Sequence, residues 1–401
     1  MSVRTIQGLQ SMQAAPLSVK VKMTQIRIRE WVGTYGRDGV YVSFSGGKDS
    51  TVLLTIVREM YPDIPAVFVD TGLEYPEIRD FVKTWDNVEW LKPKLTFKQV
   101  LERYGYPFIS KEVSEKVHYA QRYLRWYMDE DAKGHIPTAY GIAGLFGYSR
   151  RSAEYKEIVR TGKMPKELMD EIFRGDGPAP TNAKKAYGTF KYMRKENGKI
   201  TDEVSSTYNY SRHRYLITAP FKVSSYCCNA MKKGPVKAYA KMTGRNPMTG
   251  QQAEESRLRT QQWLRNGCNG FEMKSPISNP MAFWTEQDVL LYIYKNHIPI
   301  ASVYGDVVKD NGIDGQMDLE DMGLTEYERP TLKTTGCNRT GCIFCGYGCH
   351  LEQPGDGRFE KLKKTHPKQY DYVMRPESEG GLGYKEKIDW INEHGGWDIR
   401  Y

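Results

Sequence analysis

The sequence predicts an α/β fold built on a doubly wound parallel sheet, with a helical insertion and a C-terminal cysteine-rich segment. Three observations predict it. Short β-branched segments alternate with stretches of helical periodicity between Val40 and Tyr104. A glycine-containing loop joins the first of those strands to the helix after it. The alternation breaks near Pro107, and glycine and cysteine dominate 336–349. Strand alternating with helix argues for a parallel sheet, because each strand needs a crossover to return in the same direction.

The elements follow in order. Ile28, Trp31, Val32 and Tyr35 recur at helical spacing, which predicts a helix from about Leu17 to Tyr35. Val40 to Phe44 is β-branched and aromatic and reads as a buried strand. After the loop, Leu53, Ile56, Val57 and Met60 fall at i, i+3, i+4 and i+7, a helix ended before Pro62. Ala66 to Val69 is a second strand, closing on Asp70-Thr71-Gly72. Pro76 suits the first turn of a helix whose apolar face holds Ile78, Phe81 and Val82. Val88 to Leu91 is a third strand, and Phe97 to Tyr104 the next helix. Residues 112–173 read as mostly helical and rich in Tyr, Arg and Lys, and 174–212 as a polar, exposed insertion. Thr285 and Asp288 form a helix-start signal, with Val289, Tyr292 and Ile293 as the apolar face behind it.

Composition bounds the function. With 39% hydrophobic and 27% charged residues over 401 positions, the chain reads as a soluble globular protein rather than a disordered one. No apolar run approaches the roughly 18 residues that span a bilayer, so no membrane partner is expected. The first 20 residues lack the apolar core of a secretory signal, although the absence of acidic residues before Glu30 also suits a mitochondrial presequence. Seven cysteines without a secretory signal suggest a reducing, cytoplasmic compartment. A net charge of +9 suits a phosphate-bearing partner, nucleotide or nucleic acid, and equally suits a slightly basic enzyme.

The chemistry begins at Ser45-Gly46-Gly47-Lys48-Asp49-Ser50, between a strand and a helix. Glycines let the backbone come close to a ligand, and successive N–H groups at a helix N-terminus form an anion-binding nest. Lys48 adds a mobile positive charge, and the hydroxyls of Ser45 and Ser50 add donors. Asp49 is expected to cap the helix or orient the loop. The spacing is not that of the Walker loop, which disfavours a kinase or GTPase.

Val42 to Thr51 (Val-Ser-Phe-Ser-Gly-Gly-Lys-Asp-Ser-Thr) resembles the PP-loop of the ATP-pyrophosphatase superfamily, whose fold is of the adenine nucleotide alpha-hydrolase type. Val69 to Glu77 resembles the second motif of its phosphoadenylyl-sulfate (PAPS) reductase-like branch. That resemblance places Asp70, Thr71 and Gly72 beside the nucleotide. It makes Lys48, Asp49 and Ser50 the catalytic candidates and Ser45 to Ser50 the phosphate cradle, with Mg²⁺ on the phosphates. Thr243 to Arg245, followed by Glu254 to Arg259, resembles a further family segment whose arginines contact phosphate or sulfate oxygens; Arg245 and Arg257 are the positions carried over. Residues 246–253, inserted between the two halves, separate them further than in the family.

Cys227 and Cys228 are vicinal, and Cys337, Cys342, Cys345 and Cys349 form a second group. Thiolates so clustered suit zinc or an iron–sulfur cluster. The pattern resembles sulfonucleotide reductases, which implies a [4Fe-4S] cluster on Cys227, Cys228, Cys342 and Cys345, with Cys337 competing for a place. The local set Cys337, Cys342, Cys345 and Cys349 would instead suit zinc. Those reductases also carry a nucleophilic cysteine near the C-terminus, and here no cysteine follows Cys349. That departure turns the expectation towards ATP chemistry.

The domains expected are 1–106 and 216–300 as two parts of the nucleotide-binding domain, 107–215 as the insertion, and 301–401 as a metal-binding and helical segment. The leading expectation is an enzyme that cleaves ATP at the α–β bond to activate a substrate for sulfur transfer. The acceptor would be a nucleic acid or related molecule, with a sulfur donor such as a cysteine desulfurase. Tyr119, Arg122, Tyr123, Arg125 and Trp126 would offer phosphate and stacking contacts, or else pack an amphipathic helix. The alternatives are a PAPS or adenylyl-sulfate (APS) reductase releasing sulfite, and a nucleotide-gated nucleic-acid-binding module with a structural metal.

Overall fold

The computed structural model describes residues 4–128, 153, 156, 194–196, 199–201, 210–310 and 331–401. They fall into two compact units. The first comprises Met1–Lys94 and Met231–Ile343; the second comprises Leu95–Ala230 and Phe344–Tyr401.

The first unit is built on a sheet of β1 (Val40–Ser43), β2 (Ala66–Val69), β3 (Val88–Leu91), β7 (Asn246–Met248), β8 (Asn269–Gly270) and β9 (Ile277–Ser278). Their order is β3-β2-β1-β7-β9-β8, parallel throughout except for the β8–β9 pair at the edge. Val42 of β1 stands opposite Ala66 on one side and Met248 on the other. The chain winds outward from β1 through β2 and β3, then returns to the other side of β1 as β7. The crevice at the carboxyl ends of β1 and β7 is therefore a topological switch point, where ligands of open α/β sheets bind.

Local sequence explains the elements around that crevice. The helix Lys48–Met60 buries Val52, Leu53, Ile56 and Val57, while Pro76 starts the helix Pro76–Lys83. Thr285 and Asp288 close a capping box on the helix Glu286–Asn296. Val40, Val42 and Phe44 join Trp31, Phe283, Trp284 and Val289 in one core. Each such side chain contributes about 1.5–3 kcal/mol of burial. Lys20, fully buried, pairs with Asp288 and ties the helix Leu17–Tyr35 to the helix Glu286–Asn296. An antiparallel pair of strands, β10 (Val307–Lys309) and β11 (Leu332–Thr334), also belongs to this unit.

In the second unit, β4 (Phe108–Ile109) pairs in parallel with β12 (Gly346–Tyr347), and β5 (Arg194–Glu196) pairs antiparallel with β6 (Lys199–Thr201). Thr96 and Gln99 cap the helix Phe97–Tyr104. The side chain of Gln121, in the helix Lys111–Met128, takes the Val223 N–H and donates to the Leu216 and Phe221 carbonyls. Tyr384, Phe359, Ile388 and Ile391 form its buried aromatic and aliphatic interior.

The expected helices Leu17–Tyr35 and Phe97–Tyr104 and the strands Ala66–Val69 and Val88–Leu91 are observed with those limits. β1 stops at Ser43 rather than Phe44, because the chain turns into the phosphate loop there. Most of the expected 174–212 insertion lies outside the described residues, as does most of 129–173. Among the described residues, no helix is long and apolar enough to cross a membrane.

Candidate functional site

The site assembles where β1 hands over to the helix Lys48–Met60, in the first unit. Gly46 sits at φ +72°, and a Cβ there would stand 2.8 Å from Ile78 Cγ2 and 2.9 Å from Val82 Cγ2. Only glycine meets both demands, one conformational and one steric. The Ser50 hydroxyl accepts the Ser45 N–H at 3.1 Å and lies 3.0 Å from the Ser45 hydroxyl, so the loop closes on itself. Gly47 occupies the N-cap with no side-chain hydrogen bond. A helix end capped by backbone alone presents its amide dipoles to an anion.

Asp49 does not cap this helix. It stands in the first turn and accepts Gln252 Nε2 at 3.1 Å, because the strand that follows in the sheet, β7, sends its loop across at this height. Gly250 makes that passage possible: a Cβ there would lie 2.8 Å from the Asp49 carbonyl oxygen. The Gln252 N–H is held by Glu255, which is itself paired with Arg259 and, at 3.5 Å, with Arg339. Burial first, and the Glu255 charge second, push the Asp49 carboxyl up to about 6, with Lys48 and Arg339 opposing.

Lys48 is buried. Its Nζ lies 3.4 Å from Glu286 Oε1 and 5.3 Å from the centre of the Tyr304 ring. The Tyr304 hydroxyl meets Thr340 Oγ1 at 2.6 Å, beside the loop, where a Cβ on Gly47 would stand 3.4 Å from it. Burial raises that hydroxyl's pKa. Tyr304 and Thr340 thus close one side of the loop, with Thr340 carried by the segment after Cys337.

At the end of β2, Asp70 pairs with Arg79 at 2.8 Å and takes the Gly72 N–H at 3.3 Å. Thr71 gives both its N–H (3.0 Å) and its hydroxyl (2.7 Å) to Glu74. Ser45, Val69, Glu74, Lys232 and Thr340 help bound a cavity of ≈ 190 Å³ at the carboxyl ends of β1 and β2. For scale, a dry cavity of about 150 Å³ admits benzene, so this one has room for an aromatic ring.

Neither Arg245 nor Arg257 bounds that cavity. Arg245 is committed to Glu89 (2.7 Å), the Tyr239 hydroxyl (2.6 Å) and the Asp38 carbonyl (3.1 Å). Arg257 is exposed at the first position of the helix Arg257–Asn266, behind its cap Ser256.

None of the seven cysteines is in a disulfide. Cys268, Cys337 and Cys342 belong to the first unit, and Cys227, Cys228, Cys345 and Cys349 to the second. Within the second, burial and the neighbouring Cys227, Cys228 and Cys345 all raise the pKa of the Tyr347 hydroxyl. Cys349 donates to the Gly346 carbonyl at 2.9 Å, and burial pushes its thiol up to about 12. Among the described residues, no group of three or more His, Cys, Asp or Glu is arranged to hold a metal ion. The thiol chemistry suits an iron–sulfur centre, but the placement of these side chains is not a ligand set. Mg²⁺ makes a lighter demand, one or two carboxylates plus phosphate oxygens, and Asp49, Glu255 and Glu286 stand near the loop. Of the expected nucleic-acid contacts, Tyr119 is exposed, while the side chains of Arg122, Tyr123, Arg125 and Trp126 lie outside the described residues.

Gln252, Glu255, Glu286, Tyr304, Thr340 and Glu74 are the site residues that the sequence does not signal. Glu74 lies within the Val69–Glu77 motif, Glu255 within Glu254–Arg259 and Glu286 within the Thr285–Asp288 helix start, but none of those signals gives the residue its role.

Known proteins bear on this geometry. The family model described as the phosphoadenosine phosphosulfate reductase domain matches residues 39–129 and 182–346. Adenosine 5′-phosphosulfate reductase of Staphylococcus haemolyticus is 33% identical over 85 residues, 20% of this chain and 35% of that protein. An uncharacterized protein of Methanocaldococcus jannaschii is 40% identical over 73 residues, 17% of this chain and 18% of that protein. The chain thus spans well under two thirds of either relative's length. The crystal structure of phosphoadenylyl-sulfate reductase from Candida auris, in its phosphate complex, gives a TM-score of 0.32 at 12% identity, covering 81% of this chain and 96% of that one.

Proposed function

The chain belongs to the phosphoadenosine phosphosulfate reductase-like family of the PP-loop superfamily, and from that premise we propose that it binds ATP and cleaves it between the α and β phosphates. The observation that carries this reading is the closed Ser45–Ser50 loop opening on a cavity at the carboxyl ends of β1 and β2. In it, loop amides and Lys48 hold the β and γ phosphates while the base and sugar occupy the cavity. A substrate oxygen attacks the α-phosphorus, the α–β bridging bond breaks, and pyrophosphate leaves from the loop. The adenylylated oxygen then departs as AMP when a sulfur nucleophile displaces it, which makes the overall reaction a sulfur transfer, with a nucleic acid as the acceptor class. Lys48 is held ready by the Tyr304 ring and Glu286, so its charge needs little reorganisation as the leaving phosphate gains charge. Mg²⁺, when bound, neutralises the triphosphate, with Asp49 the nearest carboxylate on the loop itself.

An iron–sulfur centre belongs to the same proposal as one organised by the arriving metal rather than preformed, with Cys227, Cys228 and Cys345, the thiols around Tyr347, among its ligands. Such a centre supplies sulfur or electrons; no step above passes through it. Protein purified anaerobically should contain iron and acid-labile sulfide and absorb broadly near about 400 nm. Zinc alone after anaerobic iron loading would remove this part.

A second reading has one specific observation behind it, the match to an adenosine 5′-phosphosulfate reductase. It exchanges ATP cleavage for release of sulfite from a sulfonucleotide. One pair of assays separates the two: pyrophosphate release from ATP, and sulfite release from APS with thioredoxin. Pyrophosphate release that falls at least about 100-fold in Lys48→Ala, with melting unchanged, is the result expected. Sulfite release without pyrophosphate release would transfer the assignment to the reductase reading.

A further inference from the structure

The cavity beside the loop is bounded, among the described residues, by one carboxylate and one ammonium, Glu74 and Lys232. The carboxylate is fixed in place. Glu74 Oε2 accepts the Thr71 N–H at 3.0 Å and the Leu73 N–H at 3.3 Å, and Oε1 accepts the Thr71 hydroxyl at 2.7 Å. Only 8% of the residue is exposed, so it cannot swing away from a ligand that enters. Each carboxylate oxygen has two lone-pair directions, and Oε1 is credited with one donor, which leaves room for another. The walls around it, Val69, Ile78 and Val236, are apolar and screen little.

A sugar hydroxyl and a sugar phosphate meet such a group with opposite results. The hydroxyl can donate to it, as acidic residues do to ribose in other nucleotide sites. A phosphate brings like charge to a buried carboxylate, and fixed repulsion is an efficient means of rejecting a near-identical ligand. Resting on the nucleotide reading above, we propose that Glu74 determines specificity here: adenine nucleotides with free ribose hydroxyls are accepted, and 3′-phosphorylated ones are disfavoured by about tenfold or more. The preferred substrate class narrows accordingly to ATP or APS, with PAPS disfavoured. Lys232 works in the opposite sense, because its flexible stem would bring positive charge to a 3′-phosphate.

Calorimetric titration of the full chain with AMP and with adenosine 3′,5′-bisphosphate tests the choice, since the two ligands differ only in the 3′-phosphate. AMP should bind about tenfold more tightly or better. Glu74→Gln, which keeps size and loses charge, should erase most of that ratio; its melting temperature reports whether it folds. If it does not fold, the wild-type ratio carries the test, and it should change little with added salt because the carboxylate is buried. Equal or tighter binding of the bisphosphate by the wild type overturns the proposal. So does an unchanged ratio in folded Glu74→Gln. A bisphosphate preference abolished by Lys232→Ala would assign specificity to Lys232 instead. Equal binding leaves the nucleotide reading standing; binding of neither ligand overturns the proposal, and overturns the nucleotide reading too where ATP also fails to bind.

Discussion

The phosphate loop and the thiols around Tyr347 are the two chemically loaded regions of this chain, and they are prepared for their ligands in opposite ways. In the loop every polar group already has its place. Ser50 closes on Ser45, Gln252 steadies Asp49, and Tyr304 and Glu286 hold Lys48. Around Tyr347 the thiols are near one another but not arranged as ligands, and burial keeps Cys349 protonated. The difference lies in charge. Backbone amides are neutral dipoles, so φ and ψ can fix them before any anion arrives. Thiolates repel one another and are costly to bury, so a folded chain holds them as thiols until a metal offsets the cost.

Gly46→Ala separates the two regions most sharply. Its Cβ would collide with Ile78 and Val82 at 2.8–2.9 Å and strain a φ of +72°. Destabilisation of about 3 kcal/mol is expected, with loss of nucleotide binding. Gly47→Ala is the internal control, since its nearest contacts are 3.3 Å or more and end on three hydroxyls. Thermal melts and nucleotide titration of both variants measure the contrast. If Gly46→Ala melts and binds as the wild type does, the loop is not preformed in the sense argued above.

How much of this the sequence revealed follows the same division. The loop was legible because its requirements are local, a strand, two glycines and a helix start within a dozen positions. The partners that make it a site were not. Gln252 is 203 positions from Asp49, and Glu286 is 238 from Lys48, so only the winding of the sheet brings them together. Asp49 shows the effect at one residue. Its place near a helix start suggested a cap, but the loop after β7 crosses above it and engages its carboxylate instead. Arg245 read as an anion contact from its motif, yet Glu89 and Tyr239 hold its guanidinium. The helix Leu17–Tyr35 was readable from its C-terminal half, where Ile28, Trp31 and Val32 are buried at helical spacing, and Pro16 and Gly36 bracket it.

The charge at Asp49 gives a smaller effect with a sign that can be checked. Its carboxyl is raised from an ordinary 3.8 to about 6. Between those values the folded chain holds a proton that the unfolded chain has lost, so this group's contribution falls as pH rises from about 4 to 6. Above pH 6 the full cost of the buried charge is present. Asp49→Asn should therefore stabilise the chain by about 2 kcal/mol at pH 7.5, a figure reduced for partial solvent access. The gain should shrink through pH 6 to 4 and vanish below. Denaturant melts at several pH values measure it. A gain that is constant with pH would remove the electrostatic account.

Tyr304→Phe should have the smallest effect, and it addresses how the loop is kept ready. The substitution keeps the ring beneath Lys48 and deletes only the hydroxyl that meets Thr340 beside the loop. A single such bond is worth about 1 kcal/mol, so a modest drop in melting temperature is expected whatever the residue does. If the hydroxyl also positions the loop for a developing phosphate charge, kcat should fall several-fold while KM for ATP stays nearly constant. A purely structural role predicts the lower melting temperature with kcat unchanged. A rise in KM alone would instead mean that the hydroxyl helps bind ground-state nucleotide. Thr340→Val deletes the partner hydroxyl from the other side and should reproduce the same kinetic signature, because both changes open the same 2.6 Å contact.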